Sequence, residues 1–130
     1  MANLLYPELS YKLIGILFKI HNKLGAGYQE KYYQRALEKE FTINSIPFKR
    51  EVLVNLEYNN EYIGKYFIDF VVDEKIALEL KTVEFIKKKY IHQVLAYLNS
   101  TNLKLGILVN FNCDSLYYKR IINPKAFKED

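Results

Sequence analysis

The segment that decides the fold reads Tyr66-Phe67-Ile68-Asp69-Phe70-Val71-Val72, then Asp73-Glu74-Lys75, then Ile76-Ala77-Leu78-Glu79-Leu80-Lys81. Its two apolar parts predict β-strands, and the charged stretch between them predicts a turn. Successive side chains of a strand alternate between its faces, so Glu79 and Lys81 project together, away from Leu78 and Leu80. If the strands pair antiparallel around the short turn, Asp69 lies within a few residue spacings of Glu79. The two carboxylates are then close enough to hold one hard cation.

On both sides of this segment, the spacing of apolar residues predicts helices and further strands. Apolar side chains recur every three or four residues up to Leu24, which predicts an amphipathic helix that begins after Pro7. Gly25-Ala26-Gly27 ends this helix. The predicted order is helix, helix, three strands, helix and two strands. The further predicted elements are a helix at about 29–41, a strand at 48–58, a helix at about 85–99, and strands at 104–111 and 116–122.

The strand at 48–58 is predicted to have one apolar and one polar face. Alternation predicts that the apolar side chains lie together on one face, and these are Phe48, Val52, Val54, Leu56 and Tyr58. Asn59-Asn60 predicts a hairpin turn into the strand that contains Asp69. Gly64, early in that strand, indicates a bulge or a bend.

Length and composition indicate one folded domain. The chain has 130 residues, of which 50% are hydrophobic and 26% charged, so a single domain over residues 1–130 is expected. A net charge of +4 is compatible with a polyanionic partner but is common in other proteins. Cys113 is the only cysteine, which fits a reducing compartment. No signal segment or bilayer-length apolar stretch is present, so we expect a cytoplasmic location and no membrane association.

The Asp69, Glu79 and Lys81 set predicts metal-assisted chemistry on a phosphate. Oxygen ligands suit Mg²⁺ or Mn²⁺, and Asp69, Glu79, the Leu80 carbonyl and waters could complete an octahedral shell. Such an ion could polarise a phosphate and lower the pKa of an attacking water. Lys81 could orient that water or stabilise the developing negative charge. The alternative is an ordinary exposed Glu and Lys pair on a solvated strand face, and by spacing alone that alternative is the more frequent one.

Three other groups of residues are candidates for the same site, each with an ordinary alternative. Glu30 lies one turn after Gly27 and one turn before Tyr33, so these positions would share a helix face; a helix-start acid is the alternative. Gln93 could hydrogen-bond a phosphate or the attacking water, or it could be a boundary glutamine. The basic run Lys87, Lys88 and Lys89, with Tyr90, could contact phosphates or could be a solvated helix start.

Together these motifs resemble the GxxExxY proteins of the PD-(D/E)XK nuclease superfamily. The resemblance covers about residues 8–122, nearly the whole chain, and the superfamily's proline before the aspartate is replaced by Ile68. The matching stretches are Gly27-Tyr28-Gln29-Glu30-Lys31-Tyr32-Tyr33, Ile46-Pro47-Phe48, residues 64–69, Glu79-Leu80-Lys81, residues 93–98 and Leu105-Gly106-Ile107-Leu108-Val109-Asn110-Phe111.

The resemblance implies an α/β (α+β) fold of the restriction-endonuclease-like kind, with a mixed β-sheet core flanked by helices. It also implies that five side chains converge at one end of the sheet as catalytic residues: Glu30, Asp69, Glu79, Lys81 and Gln93. Asp69, Glu79, Leu80 and Glu30 would hold the metal. The resemblance therefore favours a metal site over an ordinary exposed pair of Glu79 and Lys81.

The expected function is a Mg²⁺-dependent nuclease or nuclease-like phosphodiesterase that acts on nucleic acid. A non-catalytic nucleic-acid-binding module with the same fold is the second hypothesis. The third is a protein-interaction module, which could be a homodimer and whose tyrosine-rich surface would bind another protein. Clustered carboxylates favour the first over the second, because a module that only binds phosphate gains nothing from them.

Overall fold

The predicted order of helices and strands is confirmed in the computed structural model, which describes residues 5–127. The elements are α1 Pro7–Leu24, α2 Glu30–Ile43, β1 Phe48–Tyr58, β2 Glu61–Val72, β3 Ile76–Lys81, α3 Lys88–Thr101, β4 Leu105–Asn110, β5 Tyr117–Ile122 and a 3₁₀ turn Pro124–Phe127.

The five strands form one mixed sheet in the order β1-β2-β3-β4-β5. Three of the four neighbouring pairs are antiparallel, and β3 and β4 are parallel. A parallel pair needs a crossover connection, and α3 supplies it. The predicted fold class, a mixed sheet flanked by helices, is therefore confirmed.

Helices cover both faces of the sheet, and the alternation predicted for β3 decides which side chains meet which helix. Ile76, Leu78 and Leu80 are fully buried in one cluster with side chains of α1 and α2. Ala77, between them, is buried in a second cluster with α3. A strand buried on both faces in this way reads as a nearly continuous apolar run, as β3 and β4 do. Glu79 has the same parity as Ala77 and interrupts this apolar run before Lys81 ends the strand.

The prediction of one apolar face for β1 is wrong. Phe48 packs in the cluster with α1 and α2, whereas Val52 and Val54 pack in the cluster with α3. Between them Glu51 has a φ of 49°, in the left-handed region, and this reverses the alternation. The partner strand changes faces at the same level, because Phe70 lies in the first cluster and Ile68 in the second.

The turn end of the hairpin formed by β1 and β2 agrees with the sequence. Asn59 and Asn60 form its turn, both with positive φ, as the commonest two-residue hairpin turns require. The register shifts where Leu56 pairs with Gly64 and Glu57 pairs with Tyr62, which leaves Ile63 as an extra residue. This is the predicted bulge beside Gly64.

The third helix begins three residues later than predicted. The segment 82–87 is a loop between β3 and α3, and the exposed side chain of Phe85 does not join the helical stripe. The buried Asn110 side chain holds this loop: its amide donates to the Val83 carbonyl at 2.9 Å, and its Oδ1 accepts from the Val83 N–H at 3.1 Å. Among residues 5–127, no helix combines the length and apolarity needed to cross a bilayer.

Candidate active site

The central feature is the point where the backbone pairing of β2 and β3 ends, here called the strand fork. The last paired residues are Phe70 and Leu78. Next to them, the Asp69 carboxylate accepts a hydrogen bond from the Leu80 N–H at 2.7 Å, and the Glu79 carboxylate accepts one from the Asp69 N–H at 3.1 Å. Two side-chain carboxylates therefore occupy the places that backbone carbonyls would take in a continued ladder.

Glu79 is a buried acid, which rules out the ordinary exposed pair as its explanation. Glu79 is only 8% exposed. Burial raises the pKa of Glu79 far above its usual range; hydrogen bonding and charge repulsion from Asp69 add to the increase, and Lys81 opposes it. At neutral pH the Glu79 carboxyl therefore favours its protonated form, because its charge would be buried and repelled by Asp69.

Glu30 meets the same pair from α2. Its carboxylate and that of Asp69 accept hydrogen bonds from the same Gln34 amide nitrogen, at 3.3 Å and 3.2 Å. Burial raises the pKa of Glu30, the Asp69 charge raises it further, and Lys81 lowers it. Glu30 does stand in the first turn of α2, where an acid is favourable. That alternative explains its position in the helix but not its contact with the fork.

The predicted face shared by Gly27, Glu30 and Tyr33 is wrong. Gly27 precedes α2 and has a φ of 106°, which favours glycine, so it is not on the helix. Tyr33 is fully buried and stacks on Phe111 with ring centroids 4.4 Å apart, while its hydroxyl donates to the Gly25 carbonyl. Tyr33 thus fixes the start of α2 against the core, and Glu30 is left free to point to the fork.

Lys81 lies beside the acidic groups without a direct ion pair within the described residues. Its charge lowers the pKa of both Glu30 and Glu79, opposing burial. Its ammonium stands 4.7 Å from the centroid of the Tyr90 ring, and the Lys89 ammonium stands 5.5 Å from the same centroid. Both ammonium groups are thus within cation–π distance of the Tyr90 ring, which stabilises them.

The structure does not bring Gln93 into contact with the carboxylates. Its side chain is exposed and makes no hydrogen bond within the part of the chain that is described; its backbone carbonyl accepts one from the Tyr66 hydroxyl at 3.2 Å. The structure thus brings Glu30, Asp69, Glu79 and Lys81 together and leaves Gln93 apart from them. Lys87, Lys88 and Lys89 are exposed at the start of α3, as a solvated helix start would also be.

The donor groups at the fork fit a hard divalent cation. The N–H and C=O of one strand residue point to the same neighbouring strand, so the Leu80 carbonyl faces β2, as its N–H does. Two carboxylates and a carbonyl are oxygen donors of the kind that Mg²⁺ and Mn²⁺ prefer. Among residues 5–127, no three His, Cys, Asp or Glu side chains are already arranged around a metal position. Protein donors would therefore supply part of the shell and waters the rest.

Two residues of the site were missed in the sequence. Gln34 connects Glu30 and Asp69, and its own carbonyl oxygen accepts from Arg50 at 3.1 Å, while Arg50 also pairs with Glu38. The four-residue spacing from Glu30 could have indicated Gln34, since such residues share a helix face. Asn110 ends an apolar run, and its sequence position gives no sign that it holds the loop after Lys81.

Comparisons with known proteins agree with this fold. Residues 7–121 match the family model described as the PD-(D/E)XK nuclease superfamily. The crystal structure of a protein called SSO0001 is similar, with a TM-score of 0.57 and 20% sequence identity, over 91% of this chain and 59% of that one. The chain thus spans less than two thirds of that protein, and the likeness shows the fold alone. No curated protein matches the chain.

Proposed function

The chain belongs to the PD-(D/E)XK nuclease superfamily, and on that premise we propose that it is a Mg²⁺- or Mn²⁺-dependent nuclease, or a nuclease-like phosphodiesterase, acting on nucleic acid. Within the superfamily we assign it to the GxxExxY proteins, on the motif that contains Gly27, Glu30 and Tyr33. The observation that carries the proposal is the strand fork, where buried Glu79 meets Asp69 beside Lys81. Buried, mutually repelling carboxylates of this kind are typical of functional sites.

The positions of the side chains support the following roles. Asp69, Glu79 and the Leu80 carbonyl would hold the cation, and Glu30 would join directly or through a water. When bound, the cation would polarise the phosphodiester and lower the pKa of an attacking water. Lys81 would orient that water or stabilise the charge that develops on the phosphate.

The remaining candidates would act on the substrate outside the fork. Gln93 would hydrogen-bond a phosphate or the attacking water. Lys87, Lys88, Lys89 and Tyr90 would contact phosphates next to the fork, since their side chains lie at the start of α3. A module that only binds nucleic acid is the alternative hypothesis, and the fork argues against it because clustered acidic groups would repel phosphates and weaken binding.

Calorimetry tests the metal site. Titration of Mg²⁺ or Mn²⁺ into the wild type should show binding, and Asp69→Ala should weaken it at least about tenfold, since it removes one proposed ligand. Asp73→Ala is the matched control, because Asp73 lies in the turn between β2 and β3 and, within the described residues, its side chain pairs with Lys75 alone. Identical, negligible heats for wild type and Asp69→Ala would count against the site.

A cleavage assay tests the chemistry. Wild type should cleave at least one member of a panel of single- and double-stranded DNA and RNA when Mg²⁺ is present, and chelator should stop it. Glu79→Ala should be inactive. Lys81→Ala should retain metal binding but cleave about 10²- to 10³-fold more slowly, as expected for loss of one charge-stabilising donor. Equal loss of metal binding and cleavage in Lys81→Ala would contradict its role.

We extend the proposal to a single domain over residues 1–130, a cytoplasmic location and a homodimer. One sheet with strands from residue 48 to residue 122 supports the single domain. The free thiol of Cys113 supports a reducing compartment. Leu53 and Phe67 are exposed neighbours on β1 and β2 and support self-association. Sedimentation velocity would test the homodimer, and a monomer at high concentration would contradict it.

A further inference from the structure

A groove of about 420 Å³ lies between α3 and the outer half of the β1 and β2 hairpin. The hairpin supplies one wall and the first half of α3 supplies the other. Its polar and aromatic lining consists of Lys65, Tyr66, Lys89, His92 and Gln93.

The groove is cationic. No carboxylate is among its described lining residues, and neither Lys65 nor Lys89 forms an ion pair with any described acid. Charges of one sign that line a concave surface focus the electric field and attract oppositely charged ligands more strongly than the same charges on a convex surface. The groove therefore fits a polyanion.

The groove is next to the strand fork. Lys89 in the groove and Lys81 at the fork contact the same Tyr90 ring. Tyr66, which lines the groove, lies on β2 three residues before Asp69, and its hydroxyl bonds the Gln93 carbonyl on α3. The Glu79 charge also contributes to the raised pKa of Tyr66, so the two groups interact electrostatically.

We propose that this groove binds a single, unpaired strand of nucleic acid beside the phosphodiester that lies at the strand fork. The inference rests on the proposed function and names the form of its substrate. Lys65 and Lys89 bind successive phosphates, and the exposed amide of Gln93 supplies hydrogen bonds to the same strand. This places Gln93 in substrate binding, which accounts for its lack of contact with the carboxylates.

The size and lining of the groove select a strand over a duplex. A volume of about 420 Å³ is at the lower end of the range of small-molecule sites, so it can enclose about one nucleotide but no part of a paired helix. A duplex is too wide to enter the groove, so it would contact the protein surface outside it. Single-strand sites combine a cationic groove with aromatic side chains, and Lys65, Lys89 and Tyr66 supply both.

The test is binding without turnover. Fluorescence anisotropy in chelator measures the affinity as a function of salt concentration. The ligands are a labelled single strand of about 12 nucleotides, a length within the range of known single-strand site sizes, and a blunt duplex of equal length. Loss of two phosphate contacts in Lys65→Ala/Lys89→Ala should reduce the salt slope for the strand by about 1.4. Affinity for the strand should fall at least tenfold, and affinity for the duplex should change much less. Lys65→Arg/Lys89→Arg should retain binding.

The matched control is Lys12→Ala/Lys23→Ala, which removes two exposed lysines of α1, on the opposite face of the sheet from α3. It should bind the strand as wild type does. Equal losses in the control and groove variants, or equal losses for strand and duplex, would overturn the inference. So would a wild type that cleaves with Mg²⁺ but binds no strand in chelator. If the wild type never cleaves but the groove variant loses affinity for the strand alone, the result would support the groove and contradict the proposed catalysis.

Discussion

At the scale of single residues, Gln34 determines how the acidic groups are arranged. Its amide donates to Glu30 and Asp69, and its carbonyl oxygen accepts from Arg50. An amide can do both because it carries donors and acceptors on adjacent atoms. Gln34 therefore joins α2 to β1 and β2 and orients two carboxylates that would otherwise repel each other.

We expect Gln34→Leu to lower the free energy of unfolding by about 1–3 kcal/mol, because the partly buried Arg50 and Asp69 groups lose a partner. Urea unfolding measures the change. Gln29→Leu is the control, since Gln29 is exposed and its side chain makes no capping bond, and it should change stability by less than about 0.5 kcal/mol. Equal effects of the two variants would show that the Gln34 contacts do not contribute.

At the scale of elements, the docking of α3 on β4 depends on one glycine. A Cβ added to Gly106 would lie 2.5 Å from Val94 Cγ1, 3.4 Å from Leu98 Cδ1 and 3.6 Å from the Ala77 carbonyl oxygen. Val94 is fully buried and β-branched, so it has few other rotamers available in a helix. The helix can lie this close to the sheet only because position 106 has no side chain.

We expect Gly106→Ala to destabilise the protein by about 1–3 kcal/mol, as overpacking does. Adding Val94→Ala removes the clashing methyl group, so the double variant should be less destabilised than the sum of the two single variants. Thermal unfolding of Gly106→Ala, Val94→Ala and the double variant measures this. The control is Gly15→Ala, in α1, where an added Cβ meets nothing within 4 Å and helix propensity should add about 1 kcal/mol of stability. Additive effects at 106 and 94 would contradict the clash.

At the scale of the whole molecule, the buried acid makes stability depend on pH. The raised pKa of Glu79 means that the folded protein keeps a proton that the unfolded chain has already lost. Stability is therefore full below the ordinary carboxyl pKa of 4.5 and decreases as pH rises toward the folded pKa of about 9. Glu30 shifts in the same direction and contributes with the same sign.

We expect wild-type stability to fall by up to about 1.4 kcal/mol per pH unit through this group between about pH 5 and pH 9. Glu79→Gln cannot ionise, so its profile should be flatter and it should be the more stable protein at alkaline pH. Urea unfolding across this interval, without metal, measures both. Glu84→Gln, an exposed acid, should follow the wild type. Parallel profiles for wild type and Glu79→Gln would contradict the raised pKa.

Much of the fold could be predicted because it follows from local periodicity. The alternation in Ile76–Lys81 placed Leu78 and Leu80 correctly, and it placed Glu79 on the other face. The prediction for β1 failed because no glycine or asparagine marks the positive φ at Glu51. The start of α3 was predicted too early because Phe85 fits the spacing of the apolar helix residues, although its side chain is exposed.

The site could be predicted only in part, for a physical reason. Strand geometry and a short turn place Asp69 near Glu79, so that contact is nearly local. The approach of Glu30 depends on how α2 packs, and the sequence indicated it only through a resemblance. The bonds from Gln34 to Asp69 and from Asn110 to Val83 join residues far apart in the chain, and no local pattern encodes them.

The change of faces in the hairpin links the two helical layers. Beyond Glu51, the outer half of β1 packs with α3, while Phe48, before it, packs with α1 and α2. Neither layer can detach without exposing apolar side chains of the same ribbon. A partly folded species that keeps one layer and releases the other would therefore be poorly populated, and the molecule should unfold in a single cooperative transition.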